Sequence, residues 1–430
     1  MNKRETYQET RRDFLKKTAV GAAAVGLGTP LVAASKPRHF KVGVIGSGGR
    51  GSGAAADALK AATLGGDTAE IFAVADLFRD KAERARRTHK VPKERTFTGF
   101  DCFRKLLEIK ELDYVILATP PHFRPEHFEA TIQAGRHVFT EKPAGVDAPG
   151  IRRFLAAGET AKSNGLSVAA GTQRRHQKHY LECLKRVQDG AIGTILSARC
   201  YWNQGGLWTR TKEDGWSDME WQVRNWLYFT WLSGDHIVEQ HVHNLDVVNW
   251  FLGALNPVEA RGMGGRQVRQ GKPEFGNVFD HFATELIYPS PDPRQHRDIR
   301  VTSMCRQIDA CWDEVSESFV GTEGSCFLSA GGGAEILGPN PWKSEATGIN
   351  PYVQEHIDLQ ADIKAGGGSL NEAETVAHST MTAILARTSC YTGRELKWGD
   401  ALKSNEQLGP KAYEFGPLAF PKVAQVGKPM

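Results

Sequence analysis

The sequence predicts two domains, an α/β domain with a doubly wound parallel sheet followed by an α+β domain. Three observations predict it. A β-rich run at 41–45 enters a glycine-rich turn and then an Ala-rich helical stretch at 54–62. Short apolar runs at 71–75, 112–118 and 137–140 alternate with helical patterns and end on polar residues. After residue 279 the period changes: 279–288, 299–308 and 317–320 alternate as half-buried strands do. Helices are expected from Asn350 onward and over 371–390, the second closed near Gly393.

The chain has 430 residues, 40% of them hydrophobic and 24% charged, which places it among soluble globular proteins with room for two domains. Its formal net charge is +4. Residues 1–35 carry six Lys/Arg and three acids, so +3 of that charge sits in the leader and +1 in the remainder. Without a basic stripe, nucleic acid is not an expected partner. Seven cysteines are scattered without a C-x-x-C pair, so neither a disulfide framework nor a zinc site is expected. After the leader no apolar run is long enough to span a bilayer.

The leader has its own logic. Arg11-Arg12 is followed by Asp13-Phe14-Leu15-Lys16-Lys17, a weakly hydrophobic Ala/Gly stretch at 18–31 and small residues at 32–34. This resembles a twin-arginine export signal, with cleavage after Ala34. The resemblance implies residues 1–35 as a signal peptide, passage through the twin-arginine export machinery, periplasmic residence and no stable membrane span after processing.

The first strand runs into Gly46-Ser47-Gly48-Gly49-Arg50-Gly51. G-x-G-x-x-G is weak alone, but here a strand precedes it and a helix follows. Glycines there let backbone N–H groups approach a pyrophosphate at a helix N-terminus. The next strand ends in Asp76, a carboxylate able to accept from ribose hydroxyls, which favours NAD over NADP. Arg79 is the residue that argues for NADP. "TLGGDTAE", before this strand, reads as a loop insertion. The glycine runs at 331–333 and 366–368 lack the strand-to-helix frame and read as turns.

The strand at 112–118 leads into Thr119-Pro120-Pro121-His122, and that at 137–140 into Glu141-Lys142-Pro143. At the C-terminal edge of a doubly wound sheet, side chains face the ligand crevice. A lysine there can donate to a substrate hydroxyl and stabilise charge on its oxygen. The proline fixes the exit and is compatible with a cis bond. A second polar cluster, Asp235 to Asp246, holds Glu239 and His243 four residues apart. On a helix the two would share a face. His236, Glu239 and His243 on that face also compose a possible metal set, but no metal is expected.

"GSGGRG", "ILATPPH", "HVFTEKPAG" and "EQHVHNLDVVNW" together resemble the Gfo/Idh/MocA family of glucose–fructose oxidoreductases, inositol dehydrogenases and their relatives. The resemblance spans 40–400 and is most specific in its first part. It implies a Rossmann domain (36–165) and a substrate-binding and oligomerisation domain (166–430) with an open, mostly antiparallel sheet. It also implies assembly as a homodimer or homotetramer. Carried over by position, Lys142 and His243 are the catalytic pair, His243 moving the substrate proton, with Glu239 tuning them. Gly46, Gly48, Gly49, Arg50, Gly51, Asp76, Thr119, Pro120, His122, Glu141 and Lys142 would border the cofactor. Two positions depart from the family pattern: Glu239 stands where aspartate is usual, and Arg124 where many members carry histidine, with His127 nearby.

Gly171-Thr172-Gln173-Arg174-Arg175-His176 follows an apolar strand, and in the family this turn borders the substrate. Arg174, Arg175 and His176 are therefore candidate ligands for sugar hydroxyls or an acidic group. Six of the ten tryptophans fall between Trp202 and Trp231, in a Gly- and charge-interleaved stretch that reads as an insertion. Packing accounts for most of them. Trp208, beside Gly205-Gly206, is the candidate that would stack on a sugar ring.

The expected activity is NAD(P)-dependent oxidoreduction of a sugar, cyclitol or sugar derivative by hydride transfer. An exported enzyme has no free NAD pool, so the cofactor would be tightly held and regenerated in each cycle. A redox-neutral glycoside hydrolase, lyase or epimerase working through a keto-sugar is the alternative within the family. A non-catalytic sugar-binding protein is the alternative outside enzymes.

Overall fold

The computed structural model describes residues 36–290, 298–345 and 348–428. The export-signal reading, Arg11-Arg12 included, falls on residues 1–35, which lie outside the described residues.

Six strands form the first sheet: β1 (His39–Ile45), β2 (Thr68–Asp76), β3 (Thr96–Thr98), β4 (Tyr114–Leu117), β5 (His137–Thr140) and β6 (Val168–Ala170). They order as β3-β2-β1-β4-β5-β6, and every pair is parallel. The central strands read as unbroken apolar runs because helices cover both faces: β4 is buried at every position. Between them run α1 (Gly49–Leu64), α2 (Arg79–His89), α3 (Cys102–Leu107), α4 (Arg124–Gln133) and α5 (Ala148–Ser163). Strand order reverses between β1 and β4, which opens a crevice above their C-terminal ends.

Two expectations change. "TLGGDTAE" is not an insertion: α1 continues to Leu64, Gly65-Gly66 turn the chain, and β2 begins at Thr68. The helix pattern was hidden because the Ala-rich stretch ends on Thr63 and Leu64 before the glycines. The parallel sheet also takes in β6, beyond residue 165, where Val168–Ala170 pair with Val138–Thr140.

The second domain holds α6 (Lys178–Gln188), β7 (Ile195–Gln204), α7 (Asp218–Arg224), α8 (Thr230–Ser233), α9 (His236–Glu239), α10 (Val242–Phe251), β8 (Glu259–Gly265), β9 (His281–Tyr288) and β10 (Ile299–Gln307). It continues with β11 (Glu314–Gly321), β12 (Ser325–Ser329), β13 (Gly333–Leu337), β14 (Trp342–Lys343), α11 (Pro351–Lys364), α12 (Ala373–Thr392), β15 (Leu396–Lys397) and α13 (Trp398–Lys403). Among the described residues the nine strands order as β14-β13-β12-β11-β7-β10-β9-β8-β15. All pairs are antiparallel except β7 with β10. Cys200, Val301, Cys305, Leu286 and Phe319 point from this sheet into a core shared with α10 and α12. The opposite face carries Arg199, Tyr201, Thr302 and Met304, exposed or half-buried. Six of the seven cysteines are buried packing groups; Cys311 is exposed.

Two segments return to the first domain. Helix α11 packs through Leu359 and Ile363 against the Ala55 and Ala58 face of α1. The tail after α13 lies across loops that follow β2, β3 and β4. Its Phe415 packs on Phe78 and Phe100, at 6.0 and 5.3 Å between ring centroids, and Tyr413 packs on Phe123 at 5.6 Å.

Candidate functional site

The loops after β1 through β6 border one groove of about 600 Å³. Its walls include Gly46, Gly48, Gly49, Arg50, Asp76, Thr119, Pro120, Glu141, Lys142, Gly171, Glu239, His243 and Trp208. Most residues expected at a cofactor site thus meet in one place.

The glycines divide by role. A Cβ on Gly46, at φ +90°, would sit 2.6 Å from the Thr119 nitrogen, and one on Gly51 would sit 1.8 Å from the Gly46 oxygen. These two glycines let the loop close on itself. At Gly48 and Gly49 an added Cβ would meet nothing within 4 Å, so their side faces an open bay. The N-terminus of α1 has no side-chain cap and no acid in its first turn, which leaves backbone N–H groups for an anion. Asp76 stands beside this bay, 6% exposed. Its carboxylate accepts from the Ser47 N–H at 2.7 Å and the Phe78 N–H at 2.9 Å. Burial raises its pKa, against the pull of Lys81 and these two backbone donors. The residues present therefore fit a dinucleotide: open bay for pyrophosphate, free helix terminus, and a carboxylate at the second strand's end.

At the other end Lys142 follows β5. Its ammonium donates to the Glu239 backbone oxygen and, at 3.0 Å, to Glu239 Oε1. An ammonium has three donors, so one is left for a ligand. Glu239 and His243 do not share one helix. Gln240 and His241 separate α9 from α10, and this break lets Glu239 turn to Lys142 while His243 faces the groove. His243 is 7% exposed. Burial, with Lys142, Arg174, Arg50 and His241 nearby, holds its pKa well below 6.5, so the imidazole is neutral. The alternative metal grouping does not assemble: His236 packs edge-on to Phe282 at 5.0 Å, and among the described residues no three His, Cys, Asp or Glu side chains are placed to hold a metal ion.

Arg50 links the glycine loop to the chemical end. Its guanidinium donates to Glu141, and to Asp57 at 3.3 Å and Glu355 at 3.4 Å. Its cation also lies 4.9 Å from the centre of the Tyr352 ring, which lines the groove. A Cβ on Gly171 would lie 2.5 Å from the Glu141 carboxylate, so a larger residue there would push Glu141 out of place. Arg124 is buried in the wall and donates to the backbone oxygens of Thr119 and Pro143, bracing the loops after β4 and β5. Burial pulls its pKa down to about 10.

Several expected residues lie elsewhere. Arg174 is buried in the core, where it donates to Glu317. Arg175 makes a two-pronged pair with Asp246, at 2.8 and 2.9 Å. His176 sits between Asp358, at 2.5 Å, and Glu372, at 3.3 Å; burial opposes its charge, but these acids raise its pKa to about 10. None of the three is among the groove's lining residues. His122 leaves the groove as well: its Nε2 meets the Tyr413 hydroxyl at 2.7 Å. On α11, His356 is buried and stacks on Phe139 at 4.1 Å, a packing role.

Trp202 belongs to β7 rather than to an insertion. Trp216, Trp221, Trp226 and Trp231 join an apolar cap beside the groove's Asp76 end. Trp221 and Trp231 are buried with Phe78, Met219, Phe229 and Leu232, and Phe100, Phe123, Leu408 and Leu418 pack against them. Trp208 is 46% exposed and lines the groove beside Trp226. Lys81, Phe78, Phe100 and Tyr352 are wall residues that sequence reasoning missed.

Residues 40–172 match the Gfo/Idh/MocA family model, described as oxidoreductase family, NAD-binding Rossmann fold. Apart from His39, the matched segment holds all six strands of the first sheet. Among curated relatives, the chain is 30% identical over 185 residues to 2,7-anhydro-N-acetylneuraminate hydratase of Escherichia coli (strain K12), covering 43% of this chain and 45% of that protein. It is 29% identical over 214 residues to inositol 2-dehydrogenase of Klebsiella pneumoniae (strain 342), covering 50% and 54%. The matched stretches thus span about half the length of these relatives. A solved structure of levoglucosan dehydrogenase, in complex with NADH and levoglucosan, superposes with a TM-score of 0.65 at 17% identity. That match covers 84% of this chain and 99% of the other, so both domains share the fold.

Proposed function

We propose that this chain is an NAD-dependent oxidoreductase acting on a sugar, cyclitol or sugar derivative. The observation that carries the reading is the neutral His243 and the spare Lys142 donor on the wall of the groove that holds the glycine loop. Bound nicotinamide would supply the hydride acceptor. Lys142 donates to the reacting hydroxyl oxygen and stabilises its growing charge. His243, neutral, accepts the hydroxyl proton. Glu239 holds the Lys142 ammonium in place. The substrate class is supported by the inositol dehydrogenase relative and by the charged side chains that share the groove wall with His243, Lys142, Glu239 and Arg50.

We further propose that NAD is held through the catalytic cycle. The aromatic cap joins three distant chain segments beside the Asp76 end, which supports slow exchange. It also agrees with export in the folded state through the twin-arginine route, where free cofactor is absent. The hydratase relative supports a second, redox-neutral course in which one hydride leaves and returns within the cycle. Association of two or four copies through the open sheet face is likewise proposed.

The test is absorbance of purified protein at 340 nm against aldoses, cyclitols, sugar acids and glycosides, with product analysis. Oxidoreduction yields an oxidised product and a reduced nicotinamide. A redox-neutral course yields an isomerised, hydrated or cleaved sugar with no lasting absorbance change. A non-catalytic binder yields neither product, which would overturn the proposal.

A further inference from the structure

His243 is the proton acceptor in the reaction proposed above, and its need for an orienting partner rests on that reading. A histidine base is commonly oriented by a carboxylate on its second ring nitrogen. Here the neighbouring acids have other partners. Glu239 pairs with Lys142, and Glu317 pairs with Arg174, with the Tyr180 hydroxyl at 2.9 Å and with the Asn244 amide at 2.7 Å. Among the described residues no hydrogen bond engages either ring nitrogen of His243.

What meets the ring is Trp202. The indole and imidazole stack at 5.6 Å between centroids, with 24° between planes. Trp202 sits in the middle of the second sheet, opposite Cys305 of β10 and Val315 of β11, so its backbone cannot drift. Its Nε1–H donates to Gln204 Oε1 at 2.7 Å, which fixes the ring about its own axis. The Arg174 guanidinium lies 5.4 Å from the indole centre, on the electron-rich ring system that attracts cations. Glu317 anchors that guanidinium.

We propose that Trp202 is the positioning residue of His243: an indole platform, clamped by Gln204 and backed by Arg174, that sets the imidazole plane by stacking. A platform, unlike a carboxylate, leaves both ring nitrogens available to substrate. It also keeps water off one ring face and adds no negative charge beside the base. The cations that act on His243, Lys142, Arg174 and Arg50, are each paired with an acid, Glu239, Glu317 and Glu141, and His241 is neutral. Arg174 thereby acts on the base through Trp202 and from a distance, rather than on a sugar.

The test follows the ring directly, in protein labelled with ¹³Cε1-histidine and purified with its bound nucleotide. The His243 signal is assigned by its loss in His243→Asn. In the unsubstituted protein it should show no titration near pH 6.5. Trp202→Leu should admit water and raise its proton affinity at least tenfold, moving the inflection toward 6.5. Trp202→Phe, which keeps a ring but loses the clamp, and Gln204→Leu, which keeps the indole unclamped, should move it the same way by less. If Trp202→Leu does not fold, the two milder variants decide. An unchanged His243 titration in the variants that fold overturns the platform. Retained turnover in His243→Asn would instead overturn the base assignment, and the titration result would stand apart from it.

Discussion

The two ends of the groove are built from opposite materials. At the Lys142 end, charged side chains face one another across short distances: Lys142 with Glu239, Arg50 with Glu141, and a neutral His243 among cations. At the Asp76 end, Phe78, Phe100, Trp221, Trp231 and Phe415 bring apolar area from chain segments more than 300 residues apart. Electrostatic pairs fix atoms in position, which chemistry requires. Apolar contacts are non-directional and resist opening in proportion to the area they hide from water. One end is thus suited to moving protons and charge, the other to keeping a ligand from leaving.

That contrast can be broken by substitution at each end. The largest effect is expected from Lys142→Met and His243→Asn: turnover falls by about 10²–10⁴-fold, with bound nucleotide content unchanged. Product formation and nucleotide content on the same samples check it; loss of nucleotide in either variant would blur the division. Next come the glycines, which lie between the ends. Gly49→Ala should fold normally and lose nucleotide, because its side faces the open bay. Gly51→Ala should lose nucleotide and also melt earlier, because its Cβ collides with the Gly46 oxygen.

At the capped end, Tyr413→Ala with Phe415→Ala removes two partly exposed rings. At about 1 kcal/mol each, nucleotide release should quicken about thirtyfold while the chemical step is unchanged. Release is read by transfer to a scavenging dehydrogenase.

The smallest effect is that of pH. Burial pushes His122, under Tyr413, down to about 4. A histidine lowered in the folded state binds its proton more readily when unfolded, so its contribution is complete above pH 6.5 and lost as pH falls toward 4. Nucleotide release should be level from pH 8 to 6.5 and rise progressively as pH falls from 6.5 to 4. His122→Gln, which needs no charge to be buried, should flatten the rise.

The same contrast explains what was legible in the sequence. The glycine loop, Asp76 and Glu141-Lys142-Pro143 are each fixed by a local strand and its exit, so sequence neighbours suffice to read them. Glu239 and His243 were legible as a pair, but not the break at Gln240-His241 that sends them to different partners. Arg174, Arg175 and His176 follow a strand end as binding residues do. Their acids, Glu317, Asp246 and Glu372, lie far along the chain, and only folding reveals that they are claimed. The cap was invisible for the same reason: tryptophans signal packing, but nothing local says that Phe415 will lie on Phe78.

If one groove both holds NAD and lets His243 and Lys142 work on a sugar bound there, the protein should turn over with the nucleotide it already carries. The most direct measurement is a single turnover with protein freed of loose nucleotide by gel filtration and no cofactor added. Close to one nucleotide per chain is expected and, with a reactive sugar, either a transient or lasting 340 nm band or sugar turnover that His243→Asn abolishes. Protein that carries no nucleotide and turns over only with added NAD would contradict it.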